Sequence, residues 1–274
     1  MFSAYSVSLL LSSLLALSTL SNAQVLRVCA DANNLPFSND HEQGFENKLA
    51  ELVARDLGLQ LQYAWWPASP LQAHKLFRSG ACDVMMEAPL RYELAETTQP
   101  YYTSSYVFVT RSDRHIVLQS LHDPFLRSAR IGLHGVGDGE FTPPAQELAS
   151  QGIVRNVAVY KIFGNLSRQN PAAELVEAVS RGDVDVAIAW GPLAGYFARK
   201  SNIPLDVSLI CPDNEDAAKP LRFAMAMGVR RGDETLRQQL ETEINRRHTE
   251  IQEILTSYGV PIVDAATNSR SSCK

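Results

Sequence analysis

The chain has 274 residues, of which 45% are hydrophobic and 20% are charged. This is enough apolar material for one large domain or two ordinary ones. The formal net charge is −5, so the chain lacks the basic surplus that is typical of nucleic-acid-binding proteins. Beyond the first residues no segment offers about twenty uninterrupted apolar residues, and we expect no membrane insertion of the mature chain.

The first residues have the composition of an export signal. Residues 8–20 form a short run of Leu, Ser and Ala, and Ser21-Asn22-Ala23 has the small-x-small form of a cleavage site. We therefore predict a signal peptide over residues 1–23, cut after Ala23. An uncleaved anchor is the alternative interpretation.

Export would place the cysteines in an oxidising compartment, where an even number favours disulfides. Three pairings are possible for four cysteines, and the sequence alone does not choose among them. We favour Cys29 with Cys82 and Cys211 with Cys273, because the first two fall in the same half of the predicted fold. The chain has no CxxC motif and no Cys/His cluster, so we predict no metal site.

The first part of the chain alternates strands and helices. Apolar residues recur at helical spacing between Phe45 and Leu57, and Gly58 then supplies a residue that tolerates a left-handed backbone. Residues 59–65 alternate as a strand, and Pro70 begins a second helix that Gly80 ends. With VLRV before and CDVMM after, the order is strand, helix, strand, helix, strand, which predicts parallel strands joined by crossover helices.

A second series of the same order begins near residue 129. Its segments are ARIGLH, PPAQELASQG, NVAVYKIF, PAAELVEAVSRG and DVDVAIAW. A short sequence motif recurs as well. Both SGACDVMM and RGDVDVAIAW place a helix-ending Gly ahead of an Asp-Val pair and an apolar strand. We interpret the two series as two lobes of similar construction.

Two strand-like stretches, 104–111 and 221–230, flank the second series and are predicted to cross between the lobes. From Gly232 we predict one long amphipathic helix that returns to the first lobe. The expected fold is α/β, with two lobes that are each a mostly parallel sheet flanked by helices. We assign 24–108 and 226–274 to lobe 1 and 109–225 to lobe 2. The interlobe cleft is the expected binding site.

The succession NNLPFSN-x(5)-GFEN, GDGEFTPPAQELA and AIAWGPLAGYF resembles the type II periplasmic binding proteins. More narrowly, it resembles the J proteins encoded with methanol dehydrogenases, of the MxaJ and XoxJ types. The resemblance covers the chain from about residue 26 to 264.

The resemblance implies a periplasmic protein associated with methanol oxidation by a quinoprotein that carries pyrroloquinoline quinone (PQQ). In that family the J protein is regarded as an accessory in assembly or activation of methanol dehydrogenase. The dehydrogenase would be its protein partner. The J protein itself would need no cofactor.

The resemblance also supplies a template for the cleft. Relatives that bind amino acids grip the α-carboxylate with an Arg after the third strand of lobe 1 and neutralise the ammonium group with an Asp in lobe 2. This chain has Arg91 near the first position and Trp190 at the second, where the indole either contacts a ligand or fills the cleft. Because a buried ammonium group without a carboxylate costs several kcal/mol, we predict that an ordinary amino acid is a poor ligand.

The remaining cleft candidates lie in loops that follow strands. Asn33, Asn34 and Phe37, in CADANNLPFSN, are predicted to face the gap, and Glu87 and Asp31 place carboxylates near it. We also assign Gly137 and Asp138 to the cleft, in the loop HGVGDGEF. That loop favours a tight turn before a Pro-started helix over a phosphate site, because Asp138 and Glu140 would repel an anion.

Aromatic residues supply the interface candidates. We select Trp66 and Tyr102 as residues that contact a protein partner, since aromatics bury much area at a small entropic cost. The six histidines are scattered, and we expect them to be surface or capping residues.

The chain has no GxSxG elbow, HExxH motif or Walker loop, and we predict that it is not an enzyme. Two functions follow. The first is an accessory protein of PQQ-dependent methanol dehydrogenase. The alternative is the receptor of an ABC-type importer that closes on a small molecule.

Overall fold

The computed structural model describes residues 24–66, 70–135, 142–162, 169–211 and 220–263. The predicted signal peptide, Gly137, Asp138 and Cys273 lie outside these residues. None of the helices in the described ranges is both long enough and apolar enough to span a membrane.

The first half of the chain contains the strands and helices that the alternation predicts. In chain order the elements are β1 Val25–Asp31, β2 Asn33–Asn34, β3 Ser38–Asn39, α1 Phe45–Leu57, β4 Gln60–Trp66, α2 Pro70–Arg78, β5 Val84–Pro89, β6 Glu96–Thr97 and β7 Tyr102–Arg111. Gly58 and Gly80 adopt φ values of 66° and 75°, so both helix ends use the left-handed conformation for which glycine is suited.

The second half repeats the alternation and then adds two helices. Its elements are β8 Ile131–Gly135, α3 Pro143–Ser150, β9 Val157–Lys161, α4 Ala173–Arg181, β10 Val186–Trp190, α5 Gly191–Arg199, β11 Leu205–Leu209, β12 Arg222–Val229, α6 Glu234–Arg246 and α7 His248–Ser257. Short 3-10 turns at Ser112–Arg114 and Pro124–Arg127 follow β7.

The strands form two largely parallel groups that two longer strands connect. The order is β4-β1-β5-β12-β7-β10-β8-β9, with β11 added to β7 and β6 to β12. β1 lies parallel to β4 and β5, and β8 lies parallel to β9 and β10. The first residues of β7 pair with β12, and from Tyr106 onward β7 pairs with β10. This is the mixed α/β, two-lobed architecture that the sequence predicts; the lobe boundaries at 108/109 and 225/226 stay a prediction.

The same ion pair recurs in the two lobes. Asp83 lies just before β5 and accepts hydrogen bonds from the Arg27 guanidinium at 2.9 and 2.6 Å and from the Arg27 backbone N–H. Asp185 lies just before β10 and accepts bonds from the Arg130 guanidinium at 3.1 and 2.7 Å and from its backbone N–H. The Asp of the recurring Asp-Val motif therefore forms the same Arg–Asp ion pair at the start of a strand in each lobe.

The prediction of one long C-terminal helix is wrong in detail, because the chain bends at Arg247 and forms two helices, α6 and α7. The bend keeps the helical pattern of hydrogen bonds, since the Arg247 N–H donates to the Glu243 carbonyl. Its guanidinium donates to Asp56 of α1 at 2.6 and 3.1 Å. The bend thus coincides with a tertiary ion pair that the local sequence does not reveal.

The segment after α7 approaches α5 so closely that only glycine fits. A Cβ added to Gly195 would lie 1.9 Å from the carbonyl oxygen of Gly259. The same segment is held along β7, because the Ser104 hydroxyl donates to the Pro261 carbonyl at 2.6 Å and the Val263 N–H donates to the Thr103 carbonyl at 2.9 Å. The end of the described chain is therefore a packed part of the fold.

The substitution Gly195→Ala tests this contact. We expect it to lower the free energy of unfolding by about 1–3 kcal/mol, because the methyl group overlaps backbone. This loss would appear although alanine ordinarily favours a helix over glycine by about 0.5–1 kcal/mol. Urea unfolding monitored by circular dichroism measures it. Ala198→Gly in the same helix is the control for helix propensity, and a stabilised Gly195→Ala variant would contradict the packing.

Candidate ligand-binding cleft

The loop CADANNLPFSN forms one wall of the cleft. β1 delivers Asp31 to its carboxyl end, and the two short strands β2 and β3 then fold the loop into a hairpin. The Ser38 hydroxyl donates to the Asp31 carbonyl at 2.8 Å, and the Asn33 N–H donates to the Asp31 carboxylate at 2.8 Å. Phe37 is buried against Phe45 of α1, with ring centroids 5.3 Å apart. The loop is consequently fixed by its own hydrogen bonds and by the lobe 1 core.

Behind this loop lies a cavity of about 340 Å³, which we call the acidic chamber after the three acids that line it, Asp31, Glu46 and Glu87. Asp31 comes from the end of β1, Glu46 from the first turn of α1, and Glu87 from β5. Trp66 and His74 also line the chamber. Three separate elements thus bring carboxyl groups to one cavity.

The acids repel one another and are withdrawn from water. Burial raises the pKa of Glu87 to about 8, and the neighbouring Tyr102, Glu46 and Trp190 oppose that rise only in part. Burial, followed by the charges of Glu87 and Asp31, holds the pKa of Glu46 well above its ordinary value. Both glutamates therefore hold protons more tightly than exposed glutamates do.

Two polar atoms beside the acidic chamber have no hydrogen-bond partner. They are Oε2 of Glu87 and the hydroxyl oxygen of Tyr102, and both atoms are buried. The Tyr102 hydroxyl lies beside Glu87, and burial followed by the charge of Glu87 holds the pKa of Tyr102 well above its ordinary value. The contact between these two groups falls short of ordinary hydrogen-bond geometry.

A second cavity of about 240 Å³ lies between the lobes, and we call it the aromatic chamber after Tyr106, Trp190 and Phe223. The three rings contact one another edge to face, with centroids 5.5 to 6.4 Å apart. Tyr106 and Trp190 are direct partners in the β7–β10 register, and Phe223 reaches them from β12. Leu193 and Ile162 complete an apolar lining.

His134, at the end of β8, places a polar group in the wall of the aromatic chamber. Its Nε2 lies 3.1 Å from the Ala172 carbonyl oxygen, which can only accept, so Nε2 carries the proton. Burial lowers the pKa of His134 to about 4, so the ring is neutral at pH 7. Nδ1 is left as an acceptor without a partner. The expectation that the histidines are surface or capping residues is wrong for His134.

The structure brings several of the predicted cleft residues together. Asn34 and Phe37 line both chambers, Glu87 the acidic chamber and Trp190 the aromatic chamber. Asn33 lines neither; its side-chain oxygen instead accepts a 2.9 Å hydrogen bond from the N–H of Asn170 in the second lobe.

The other predicted residues lie elsewhere. Arg91 occupies an exposed turn after β5, with φ of 65°, and lines neither chamber. Trp66 lines the acidic chamber, whereas Tyr102 is only 4% exposed and packs edge to face on Phe45. Gly137 and Asp138 fall outside the described residues.

Cys29 and Cys82 form the predicted disulfide, with Cα atoms 5.3 Å apart. Cys29 also lines the acidic chamber, so the bond supports its floor. The predicted Cys211–Cys273 pair ends at a residue outside the described ranges.

The cleft combines two kinds of surface. Within the described residues, no group of three or more His, Cys, Asp or Glu side chains is arranged to hold a metal ion. The acidic chamber offers acceptors, and the aromatic chamber offers flat apolar surface. Such a pairing suits recognition of a ligand with one polar and one apolar end.

The family model of the bacterial extracellular solute-binding proteins, family 3, matches residues 26–261. Protein MoxJ of Paracoccus denitrificans is 30% identical over 92% of this chain and 94% of that protein. The chain is an MxaJ/XoxJ-type member of this family. Protein MoxJ of Methylorubrum extorquens is 29% identical over 88% of this chain and 83% of its own length.

The fold comparison agrees with the sequence comparison. The crystal structure of the periplasmic binding protein XoxJ from Methylobacterium extorquens AM1 superposes with a TM-score of 0.71, at 33% identity, over 88% of this chain and all of that one. The predicted resemblance and the predicted two-lobed binding-protein fold are both confirmed. As an MxaJ/XoxJ-type protein, the chain belongs with binding proteins of the extracellular or periplasmic space.

Proposed function

We propose that this protein is a periplasmic accessory factor of PQQ-dependent methanol dehydrogenase, which acts in assembly or activation of that enzyme and not as a catalyst. The observation that carries the proposal is the near full-length similarity to two MoxJ proteins, together with 33% identity to XoxJ. Export through residues 1–23 would bring the chain to the periplasm. The Cys29–Cys82 disulfide suits an oxidising compartment.

The cleft supports a binding role. Its walls combine carboxyl groups with aromatic surface, as a site that recognises a ligand does. Trp66, on the rim of lobe 1, is half-buried and ends the strand β4. It stays our candidate for contact with the dehydrogenase, while Tyr102, which is buried in lobe 1, is the weaker of the two candidates.

The test is a label-free titration of the mature chain against purified methanol dehydrogenase, both without and with its cofactor. We expect association with at least one form. Trp66→Ala should weaken it by about tenfold, as an aromatic anchor at an interface typically does. Val117→Ala is the matched control, because this side chain is 80% exposed and lies away from the cleft lining.

A different result would favour the importer. If neither form of the dehydrogenase binds, and the protein instead closes tightly on a small solute, the accessory role is wrong. A receptor of an ABC-type importer would then be the better interpretation of the cleft.

A further inference from the structure

The acidic and aromatic chambers form one continuous site. Asn34, Phe37, Pro89 and Met225 line both of them, so that each chamber opens onto the other. One end of the combined site carries carboxyl groups, and the other carries aromatic rings. A ligand that fills it must match both ends.

The charge of the lining has one sign. Asp31, Glu46 and Glu87 converge on the acidic chamber, and no Arg or Lys occurs among the described residues that line either chamber. Arg91, the residue expected to grip a carboxylate, lies on the surface outside both. A ligand anion would meet carboxyl groups and no cationic side chain among these described lining residues, which disfavours a carboxylate or a phosphate.

The reason for rejecting amino acids therefore changes. The sequence suggested that the ammonium group of an amino acid would lack a carboxylate partner. In the structure three carboxyl groups line the chamber that an ammonium group would enter, and it is the carboxylate of the amino acid that lacks a cationic partner among the described lining residues. Trp190 lines the aromatic chamber at the lobe 2 position where amino-acid-binding relatives have an Asp.

A second observation points to a ligand independently of the acids. The His134 side chain is 4% exposed and lines the aromatic chamber. Its Nδ1 is a buried acceptor without a hydrogen-bond partner. This atom belongs to the wall of a cavity and is unsatisfied by the described protein, as expected of a group that binds a ligand.

We propose that the cleft binds a small organic cation, with a primary ammonium or amidinium group in the acidic chamber and an apolar body in the aromatic chamber. The cationic group donates hydrogen bonds to Glu87, Glu46 and Asp31, and Trp190, Tyr106 and Phe223 enclose the body. A bare metal ion would leave the aromatic chamber empty. The two cavities, of about 340 and 240 Å³, are of the size that accommodates a small molecule. The proposal concerns the ligand of the cleft and does not depend on the dehydrogenase.

Isothermal titration calorimetry of the mature protein with four related probes tests the proposal. The probes are 2-phenylethylammonium, the neutral 2-phenylethanol, the zwitterion phenylalanine and the anion 3-phenylpropanoate. We expect the cation to bind and the neutral probe to bind at least about tenfold more weakly, because charge-assisted hydrogen bonds are lost. Phenylalanine and 3-phenylpropanoate should not bind.

Variants assign the two ends of the site. Glu87→Gln and Glu46→Gln should each weaken binding of 2-phenylethylammonium by about tenfold, since an amide, unlike a carboxyl group, has no proton to release when the cation binds and so cannot become a charged acceptor. Trp190→Ala should weaken 2-phenylethylammonium and leave methylammonium, which has no aromatic body, unchanged. Glu93→Gln, at an exposed position, is the control and should have no effect.

Several outcomes would overturn the proposal. These are equal binding of 2-phenylethanol and 2-phenylethylammonium, preferred binding of the anion, or no heat with any probe at millimolar concentration. Since no dehydrogenase is present in this experiment, its failure would leave the proposed accessory function to be decided by the separate titration.

Discussion

Removing the Cys29–Cys82 disulfide by a double substitution to alanine is expected to lower the free energy of unfolding by about 4 kcal/mol. The bond joins residues separated by 53 positions, and a cross-link of that span restricts the unfolded chain by about this amount. Alanine is the suitable replacement because both positions are buried, so a serine would add an unsatisfied hydroxyl. Urea unfolding of the oxidised proteins measures the difference.

The two single variants provide the control. If the stabilisation comes from the cross-link, Cys29→Ala, Cys82→Ala and the double variant should lose nearly the same free energy, because either substitution breaks the bond. If it came from packing of the two side chains, the single losses would add. Additive losses, or a total below about 1 kcal/mol, would contradict a stabilising cross-link.

The second large effect is a dependence of stability on pH that arises in the acidic chamber. The folded-state pKa of Glu87 is about 8, above the ordinary glutamate value of 4.5, so the folded protein holds a proton that the unfolded chain releases. This contribution to stability is complete below pH 4.5 and is lost as the pH rises through 8. Between these values the free energy of unfolding should fall by about 1.4 kcal/mol per pH unit for one such group.

Glu87→Gln removes this dependence, because the amide stays neutral at every pH. We expect the stability of the variant relative to the natural protein to increase steadily from pH 5 to pH 8, with Glu46 adding to the residual slope in both proteins. Chemical unfolding at several pH values measures the difference. Glu93→Gln, whose side chain is exposed, should show a constant difference instead. A constant difference for Glu87→Gln as well would show that its carboxyl group is ionised in the folded state.

The sequence predicted those helices and strands whose hydrophobic spacing and end signals lie within the element itself. The apolar positions of α1 recur at helical spacing and Gly58 ends it, so both its length and its end could be read directly. α5 was missed because Gly191–Phe197 is buried throughout, and a helix buried on every side shows no alternation of polar and apolar faces. The bend at Arg247 was missed because its ion-pair partner, Asp56, is distant in the chain.

Some residues of the cleft could likewise be predicted from local sequence, whereas others depend on tertiary packing. Asn34, Phe37 and Glu87 lie in or after strands of lobe 1, and the sequence placed them at the cleft by the rule that strand ends meet there. Trp190 was placed there by comparison with amino-acid binders. Glu46 looked like an ordinary acid in the first turn of a helix, where negative charge is common. Its convergence with two other acids depends on the packing of α1 against the sheet. His134 required knowledge of burial, which a single residue at a strand end does not convey.

The hydrogen bond between Asn33 and Asn170 connects the first-lobe loop to the second lobe. Both partners are neutral, and such a bond contributes about 0.5–1.5 kcal/mol because water can replace it. This bond alone would favour the closed arrangement of the lobes over an open one only about two- to tenfold. A ligand that contacts both walls would therefore need little differential affinity to shift the balance of closed and open molecules strongly toward the closed one.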